Sequence, residues 1–425
     1  MNLIANRIRG MQDLLPGASD EWKAMEQTIR KEASLYGFRE IRTPVLENTE
    51  LFKRSSGEDS DVVQKEMYTF DDKGGRSVSL RPEGTAGVVR AVLENGLHNS
   101  PLPLKLMYVT SCYRYEKPQS GRLREFFQFG AEIFGSEAPL ADAELIILGD
   151  AIFKRLGIKN ITLEINSIGC RECRKNYISG VKEYFKKRET GLCKTCLDRL
   201  EKNPMRVFDC KCDDCKKICE EAPIILDYIC DECKNHFEVV KKSLDSSGVK
   251  YCVNPKIVRG LDYYSRTVFE FVYHNDDGPV TACGGGRYDR LSEELGGPSL
   301  PAIGFGMGME RIAMIMEDQG IKKCNKDYVP SLFIVCADDS VRGFASGLCQ
   351  KLRENLICAQ IDISGKKVKS QMKYADKIGA KYVLVVGPDE FESGIGTLKN
   401  MQSGEEQKID LRENFLDGFA TLAFR

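Results

Sequence analysis

The feature that most constrains how this chain can fold is a helical, cysteine-rich segment that lies between two regions of strand-like sequence. Residues 67–134 and 252–311 carry strand-like patterns that Gly and Pro interrupt. Residues 166–247, which lie between them, are rich in Cys, Lys and Glu and follow a helical period instead. The pattern therefore predicts one β-rich domain into which a mostly helical segment, residues 166–247, is inserted.

A third pattern occupies the C-terminal part of the chain. Short apolar strands alternate with amphipathic helices, at 332–336 (strand), 341–354 (helix), 359–363 (strand), 369–378 (helix) and 382–386 (strand). This spacing is typical of a small α/β domain with crossover helices. Because residues 322–327 form a charged linker, we predict two domains, 1–325 and 328–425.

Composition limits the setting in which the chain works. We expect no membrane span, because no run of about 18 apolar residues exists, and no signal peptide, because the first ten residues lack an apolar region. Seventeen cysteines without a secretion signal indicate a reducing, cytoplasmic environment. Since the net charge is −1, any nucleic-acid contact must rely on local basic patches.

Residues 258–271 alternate like a strand, yet they open with polar and aromatic groups that a core strand would not need. Arg259, Tyr263 and Tyr264 stand together at its start. This arrangement is typical of the wall of a pocket for a polar, ring-shaped ligand. An edge strand with amphipathic tyrosines is the alternative.

Residues 112–132 predict a hairpin around a polar loop. Arg114 lies on the incoming strand. Phe126, Gln128 and Glu132 share one face of the outgoing strand, because side chains two positions apart point the same way. An arginine suits a phosphate, and an aromatic ring can stack on a base.

Residues 302–315 place three glycines, Gly304, Gly306 and Gly308, directly before an apolar helix. Arg311 falls in the first turn of that helix, where the macrodipole disfavours a cation. This position indicates a ligand role for Arg311, and a surface ion pair is the alternative.

Taken together, these segments resemble class II aminoacyl-tRNA synthetases, and specifically the bacterial histidyl-tRNA synthetase family. Residues 38–46, 113–132 and 304–311 are similar to class motifs 1, 2 and 3. Three blocks are similar to histidyl-specific sequences: Leu-Arg-Pro-Glu-Gly-Thr (80–85), Arg-Gly-Leu-Asp-Tyr-Tyr (259–264) and Gly-Gly-Gly-Arg-Tyr-Asp (284–289). The resemblance implies an α+β fold, with an antiparallel sheet flanked by helices and an α/β anticodon-binding domain at the C-terminus.

The resemblance also implies an activity, histidine–tRNA ligation, with L-histidine, ATP, Mg²⁺ and tRNA-His as substrates and partners. The residues implied are Arg114 and Arg259 for catalysis at the α-phosphate; Glu83, Thr85, Gln128, Glu132, Tyr263 and Tyr264 for histidine; and Arg114, Arg122, Phe126, Arg259 and Arg311 for ATP. Glu83, Thr85 and Gln128 would hold the α-ammonium, and Glu132 and Tyr264 the imidazole. Phe126 and Arg311 would enclose the adenine.

Simpler interpretations exist for several of these residues. Taken alone, Glu83 is better explained as the cap of a helix that begins near Gly84. Arg81 and Arg287 are candidates for buried ion pairs. The three histidines, His98, His236 and His274, stand in no catalytic arrangement.

The inserted segment carries Cys-x2-Cys pairs at 170/173, 193/196, 212/215 and 230/233, with Cys210 and Cys219 nearby. Their spacing fits a four-cysteine template for structural Zn²⁺. The sequence leaves open whether metal is bound and which pairs combine. Because the implied site residues lie outside this segment, we expect histidine activation to survive its loosening.

Two further expectations concern partners. The apolar strand around Pro44 is confined by its proline to an edge, end or bulge, and we predict that it forms a homodimer. Six lysines in the C-terminal domain indicate a solvated face by default, and the resemblance makes them tRNA phosphate contacts: Lys366, Lys367, Lys369, Lys373, Lys377 and Lys381.

Two rival functions are the alternatives, and the first is strongly disfavoured because Arg114, Arg259, Arg311 and the last hundred residues are all present. One is a synthetase-like regulatory subunit, which is not an enzyme and could lack Arg114, Arg259, Arg311 and the C-terminal domain. The other is a class II ligase for another amino acid, such as Thr, Pro or Gly.

Overall fold

The chain divides into two compact units, Met1–Lys323 and Cys324–Arg425. The computed structural model describes residues 5–57, 60–202, 204–210, 212–257, 263–275, 278–322 and 329–423. None of the described helices combines the length and the apolar content that crossing a membrane requires.

The first unit mixes helices and strands along its whole length. Its elements in chain order are α1 (Ala18–Leu35), β1 (Arg39–Glu40), β2 (Leu46–Asn48), α2 (Thr49–Ser56), β3 (Thr69–Asp71), β4 (Ser77–Leu80), α3 (Thr85–Glu94), β5 (Leu104–Tyr113), β6 (Glu125–Phe134), α4 (Pro139–Leu156), β7 (Ile161–Ser167), α5 (Arg171–Lys186), α6 (Lys194–Lys202), α7 (Asp213–Glu220), α8 (Asp231–Ser246), β8 (Cys252–Val253), β9 (Ser265–Asn275), β10 (Gly278–Arg287), α9 (Leu291–Glu294), β11 (Ala302–Gly308) and α10 (Met309–Asp318).

Eight of the described strands form the large sheet of this unit, in the order β1-β5-β6-β11-β10-β9-β7-β8. Every pair from β5 to β7 in this order is antiparallel. The edge pairs β1–β5 and β7–β8 are parallel. The α+β class with a largely antiparallel sheet is therefore confirmed.

The two faces of the large sheet have different chemistry. On one face, apolar side chains such as Phe129, Phe305 and Phe271 pack in the main core with helices α1, α4, α8 and α10. The alternate residues of the same strands point to the opposite face. On β6 and β11 these include Phe126, Gln128, Glu132 and the glycines that form the site described below, while Phe134 and Ala302 pack in a second apolar cluster.

The segment around Pro44 does not form one continuous strand. Arg39–Glu40 pairs with β5 in the large sheet, whereas Leu46–Asn48 pairs with β4 in a small sheet of order β2-β4-β3. The residues between them, including Pro44, belong to no strand. Proline lacks an N–H and restricts the backbone of the residue before it, so a break in the strand is expected at Pro44.

The cysteine-rich segment has a core of its own, built mainly from α5, α6, α7 and the turns between them. Tyr177, Val181, Phe185, Cys196 and Cys215 are buried in it. Its ends belong to the main body instead. β7 runs to Ser167, and α8 buries Phe237, Val240 and Leu244 in the main core.

The second unit contains a five-stranded sheet, counted over its described residues, in the order β13-β12-β14-β15-β16. Its elements are β12 (Leu332–Cys336), α11 (Arg342–Glu354), β13 (Ala359–Ile361), α12 (Val368–Lys377), β14 (Tyr382–Val386), α13 (Pro388–Ser393), β15 (Ile395–Asn400), β16 (Glu406–Asp410) and α14 (Phe415–Ala423). Strand β12 is parallel to β13 and β14, while β15 and β16 are antiparallel additions that the sequence did not predict. The predicted alternation over 332–386 is confirmed.

Candidate active site

The floor of the site is a row of glycines on β11. In the register of the sheet, Gly304, Gly306 and Gly308 lie beside Glu132, Gly130 and Gln128 of β6. A Cβ atom on Gly304 would overlap the Glu132 carboxylate, and one on Gly306 would overlap the Gln128 amide. Because only hydrogen fits there, the glycines let these polar side chains lie across the sheet.

Tyr108 occupies the space over the next glycine. It pairs with Gly130 across β5 and β6, and a Cβ on Gly130 or on Gly84 would overlap its ring. Its hydroxyl donates to Glu132 at 3.1 Å. Sequence analysis missed Tyr108, and the hairpin register, which sets this ring beside a glycine, is the signal that could have found it.

Glu132 is the most enclosed acid of the site. It is fully buried and accepts hydrogen bonds from Thr85 at 2.8 Å, Tyr108 at 3.1 Å and Tyr288 at 2.5 Å. A carboxylate offers about four lone-pair positions, so there is room for one more donor.

The environment of Glu132 also changes its acidity. Burial raises the pKa of Glu132 to about 8, although the hydrogen bonds from Tyr288 and Thr85 lower it. Because this folded-state pKa lies above the ordinary value of 4.5, the group stabilises the fold most at low pH. That contribution is lost as the pH rises through about 8.

Glu83 is buried as well, and it caps α3. Its two oxygens accept from the backbone N–H groups of Thr85 at 2.6 Å and Ala86 at 2.9 Å. The capping interpretation is therefore confirmed. Burial raises the pKa of Glu83, while those N–H groups and the nearby Arg114 lower it. Each oxygen keeps a second lone pair, so capping does not prevent a ligand contact.

The predicted Tyr263 and Tyr264 join an aromatic group at the same place. Their ring centroids lie 4.7 Å apart, and Tyr263 is 5.6 Å from Tyr288. Tyr288 donates to Glu132, so this group and the buried carboxylate form one unit. Tyr288 stood in a block similar to histidyl-specific sequences, but no role was predicted for it.

Gln128 connects this buried group to a cavity of about 450 Å³ that it helps to line. Its side-chain oxygen accepts from the Gly84 N–H at 3.0 Å. Four residues predicted to bind ATP line the same cavity: Arg114, Arg122, Phe126 and Arg311.

Backbone carbonyl groups orient the arginines of this cavity. Arg114 donates to the carbonyl oxygen of Pro82 at 2.8 Å, and Arg311 donates to those of Thr281 and Gly121. A carbonyl fixes a guanidinium without neutralising its charge, and the carboxylate of Glu116 lies only at the outer limit of an ion pair with Arg114, at 3.9 Å, so both arginines stay suited to an anionic ligand. The Phe126 ring lies 5.5 Å from the Arg114 guanidinium carbon.

Arg259 lies outside the described residues, together with its neighbours 258 and 260–262. Its predicted role at the α-phosphate therefore remains a prediction from the sequence. Tyr263, the next described residue, belongs to the aromatic group beside Glu132.

A buried ionic cluster supports the aromatic group from behind. Arg287 donates to Asp142 at 3.0 Å and to Asp289 at 2.9 Å, and His236 Nε2 lies 2.7 Å from Asp142. Burial alone would raise the pKa of Asp142, but the hydrogen bond from His236 and the charge of Arg287 outweigh it and lower that pKa. The ion-pair interpretation of Arg287 is confirmed, and His236 has a structural role that the sequence did not reveal.

Arg81, which was also a candidate for a buried ion pair, bonds to backbone carbonyl groups instead. It donates to the carbonyl oxygens of Ser111, Thr43 and Pro44 at 2.6, 2.8 and 2.9 Å. It therefore ties the segment around Pro44 to β5 by hydrogen bonds to the backbone.

Within the described ranges, two groups of four cysteines could each hold a metal ion. The inner group is Cys170, Cys173, Cys230 and Cys233, and the outer group is Cys193, Cys196, Cys210 and Cys215. In each group the Sγ atoms lie within 4.8 Å of one another. Cys210, rather than Cys212 of the Cys-x2-Cys pair, completes the outer group.

Comparison with known proteins identifies the family. The sequence model of the family described as histidyl-tRNA synthetase matches residues 10–172 and 213–312, which is more than half of the chain. The chain belongs to the histidyl-tRNA synthetase family. A second family model, described as an anticodon binding domain, matches residues 331–417 in the second unit. The ranges matched leave out residues 173–212, which carry much of the cysteine-rich segment.

Relatives within this family align over almost the whole chain. The histidine–tRNA ligase of Caldanaerobacter subterraneus subsp. tengcongensis is 50% identical over 95% of this chain and 97% of its own length. That of Clostridium botulinum (strain Hall) is 51% identical over 95% of this chain and 96% of its own length. The crystal structure of apo S. aureus histidyl-tRNA synthetase superposes with a TM-score of 0.84 at 38% identity, covering 98% of this chain and 100% of that one.

Proposed function

We infer that the chain is a histidine–tRNA ligase. It activates L-histidine with ATP, forming histidyl-adenylate and pyrophosphate, and then transfers histidine to the 3′ end of tRNA-His. Two findings support this inference: the chain belongs to the histidyl-tRNA synthetase family, and it aligns over nearly its full length with relatives named histidine–tRNA ligase. Buried Glu132, with one acceptor position left among hydroxyl donors, is the observation that carries the choice of amino acid.

The buried group binds histidine. Glu83, Thr85 and Gln128 hold the α-ammonium, since a carboxylate and neutral oxygens complement a cation. Glu132 accepts from one imidazole nitrogen and Tyr264 contacts the other, while Tyr263 packs beside the ring. The hydrogen bonds of Gln128, Glu83 and Thr85 around the start of α3, the bond from Thr85 to Glu132 and the ring contact of Tyr263 with Tyr264 support this assignment.

The 450 Å³ cavity binds ATP. Arg114, with Arg259 from the adjoining segment, grips the α-phosphate, and Arg122 reaches the outer phosphates. Phe126 and Arg311 enclose the adenine ring. Gln128 lines both the cavity and the buried group, so bound histidine would present its carboxylate near the α-phosphate.

The reaction then needs positioning and charge stabilisation rather than a covalent enzyme intermediate. A carboxylate oxygen of histidine attacks the α-phosphorus, a new oxygen–phosphorus bond forms, and the bond to pyrophosphate breaks. Negative charge grows on the α-phosphate oxygens in that step, and Arg114 and Arg259 stabilise it. In the second step, a terminal ribose hydroxyl of tRNA attacks the histidyl carbonyl, and AMP leaves.

ATP is expected to arrive with Mg²⁺, which neutralises charge on the phosphates. Carboxylate oxygens are the protein ligands that this ion prefers. Glu116 and Glu270 line the cavity and fit that requirement, so they would hold the metal.

The second unit binds the anticodon region of tRNA-His. The match of an anticodon-binding family to 331–417 supports this role. The six lysines named above are all exposed, and most lie on or next to α12, whose buried residues Gln371 and Ala375 face inward. We propose them as phosphate contacts, because clustered cations release counterions from a nucleic acid on binding.

A ligase for another amino acid fits this site less well. Threonine, proline and glycine carry no N–H beyond the α-amine to meet Glu132, so they would leave a buried acceptor without its partner, which costs affinity. A regulatory subunit without activity is disfavoured because Arg114, Arg259, Arg311 and the C-terminal unit are all present.

The direct test is amino-acid-dependent exchange of labelled pyrophosphate into ATP. Histidine should support exchange, while threonine, proline and glycine at the same concentration should give only the background measured without an amino acid. Exchange with another amino acid and none with histidine would overturn the assignment.

We predict that the KM for histidine is lowest between pH 6.5 and 8. Free imidazole titrates at about 6.5, and burial raises the pKa of Glu132 to about 8. The complex keeps one proton between the two groups. Below pH ~6.5 both partners are protonated and binding must release a proton, whereas above pH ~8 neither is and binding must take one up. The KM should rise about tenfold per pH unit on either side, measured by exchange at saturating ATP.

The Glu132→Gln variant serves as the matched control for this pH dependence. Loss of a charge-assisted hydrogen bond should weaken the binding free energy of histidine by about 2 kcal/mol, which corresponds to a roughly thirtyfold higher KM. The rise that begins near pH 8 should disappear, because glutamine does not titrate. The same alkaline rise in the variant and in the parent protein would assign it to another group, such as the α-ammonium of the substrate.

We also propose a cytoplasmic homodimer. The cysteines that the structure describes form no disulfide, as a reducing compartment requires. One face of the small sheet carries Leu46, Phe70, Val78 and Leu80, of which Leu46 and Phe70 are 46% and 47% exposed. The opposite face is covered, because Ser79 is buried and bonds to Thr49 of α2. An apolar face of this kind suits a second copy of the chain.

Sedimentation should find a dimer at micromolar concentration. The Phe70→Lys variant, which places a charge on the apolar face, should shift the equilibrium towards monomer, while the Lys73→Glu variant in the nearby turn should not. A parent protein that sediments as a stable, active monomer would contradict the proposal.

Finally, we propose that the cysteine-rich segment binds Zn²⁺ as a structural metal. Zinc–sulfur bonds of about 2.3 Å in a tetrahedron place neighbouring sulfur atoms about 3.8 Å apart. The Sγ atoms of Cys170 and Cys173 lie 3.5 Å apart, and those of Cys193 and Cys210 lie 3.8 Å apart. Elemental analysis of the purified protein should find about two zinc ions per chain.

A further inference from the structure

The two cysteine groups occupy different places in the fold. Cys196 and Cys215 of the outer group are buried in the core of the inserted segment itself. The inner group joins the starts of two helices: Cys170 and Cys173 at the beginning of α5, Cys230 and Cys233 at the beginning of α8. The Cys230 N–H donates to the Cys173 sulfur at 3.1 Å, so these two helix starts are already in contact.

Helix α8 connects the inner group to the main body. Within two turns of Cys233 it places His236 against Asp142, which in turn receives Arg287. Arg287 directly precedes Tyr288, the donor to Glu132. A displacement of the start of α8 would therefore reach the pocket through buried, charged contacts rather than through flexible loops.

The beginning of α5 connects the inner group to the other side of the pocket. Arg174, next to Cys173, donates to the carbonyl oxygen of Tyr264 at 3.1 Å. The backbone of Arg266 bonds to Gly169 and Ile168 at 2.9 and 2.7 Å, immediately before Cys170. Both contacts fix the segment that carries Tyr264.

Arg266 is where the two connections meet. Its guanidinium donates to Glu232 of α8 at 2.5 Å and lies 3.4 Å from the His236 ring. Its φ angle is +50°, and the pairing of β9 with β10 shifts register at this point. A non-glycine residue adopts this backbone conformation only when its surroundings hold it there.

We propose that the inner group is a zinc site that positions the histidine pocket, whereas the outer group serves only the fold of the inserted segment. Zinc at the inner group fixes the starts of α5 and α8 relative to each other, and these hold Tyr264 and Tyr288 through Arg174, Arg266 and His236. This inference rests on the proposed ligase activity and on zinc binding. It changes the expectation that histidine activation is independent of this segment: independence is kept for the outer group and withdrawn for the inner one.

The test compares two double variants, Cys230→Ser with Cys233→Ser (inner) and Cys193→Ser with Cys196→Ser (outer). Each should retain about one zinc ion per chain. The inner variant should raise the KM for histidine in pyrophosphate exchange roughly tenfold, as is typical when support behind a site is removed, and leave the KM for ATP within about twofold. The outer variant should leave both values within about twofold.

A third variant, Arg266→Gly, addresses the connection without touching a cysteine. Glycine accepts the positive φ angle, so the backbone keeps its conformation while the contacts with Glu232 and His236 are lost. It should keep two zinc ions and also raise the KM for histidine several-fold. If the inner double variant does not fold, this variant alone decides: a normal KM for histidine would overturn the proposal.

Other outcomes are equally decisive. An inner variant that lacks one zinc ion but has the parent KM for histidine would overturn the proposal, and so would equal effects of the inner and outer variants. A parent protein without zinc would overturn it as well, with the ligase activity untouched. Failure of the parent protein to exchange with histidine would instead refute the proposed function.

Discussion

Replacing Gly304 with alanine is expected to reduce kcat/KM for histidine by about a hundredfold or more. The new Cβ would occupy the space of the Glu132 carboxylate, which must then move away from Thr85, Tyr108 and Tyr288. Displacing a positioned group by about 1 Å commonly costs about a factor of 100. Pyrophosphate exchange at varied histidine measures the loss, and kcat/KM for ATP reports whether the neighbouring cavity is affected.

The matched control is Gly347→Ala in α11. A Cβ at Gly347 meets no heavy atom within 4 Å, and the residue lies in the helix interior. Alanine there should stabilise the second unit by about 0.5–1 kcal/mol and leave histidine activation unchanged. A Gly304→Ala enzyme as active as this control would contradict the prediction, because it would show that Glu132 can move aside for the new Cβ without loss of activity.

Replacing Arg259 with alanine should nearly abolish adenylate formation while the protein stays folded. A charge-assisted contact that strengthens as charge builds on the α-phosphate is worth about 3 kcal/mol or more, which corresponds to a loss of at least about 150-fold. Arg114→Ala should act in the same direction, because Arg114 lines the ATP cavity. Exchange activity together with thermal unfolding separates a catalytic loss from a folding defect.

Arg290→Ala provides the comparison for these two arginine variants. Arg290 is 51% exposed and pairs with Glu293 on the surface at 3.5 Å. Its loss should change neither activity nor stability by more than a few tenths of a kcal/mol. Near-normal pyrophosphate exchange by the Arg259→Ala variant would contradict the proposal that Arg259 binds the α-phosphate.

Local periodicity made much of this site predictable. Phe126, Gln128 and Glu132 stand on one face of β6 because a strand alternates with period two, and that rule depends on no distant residue. The strands at 332–336 and 382–386 were predictable for a similar reason, since short apolar runs between helices are characteristic of buried parallel strands.

Contacts that depend on the meeting of distant segments were not predictable. Tyr108 and Tyr288 reach Glu132 only through the register of the large sheet. Cys210 displaces Cys212 from the outer group because chain folding, and not spacing, decides which sulfur atoms meet. Glu83 satisfies both the helix cap and the pocket geometry, and the sequence offered these as alternatives.

The starts of α5 and α8 form a closed stem at the base of the cysteine-rich segment. Because of this stem, the length of the segment can change with little effect on the rest of the protein. The chain leaves the main body before Cys170 and returns at Cys230, and the helix starts at these two points touch through Cys173. When two ends are held together, lengthening the intervening chain costs only a slowly growing closure entropy, about 0.6 kcal/mol for each doubling. Whatever lies between α5 and α8 can thus be enlarged, shortened or exchanged during evolution, or by grafting in the laboratory, provided the stem itself is kept.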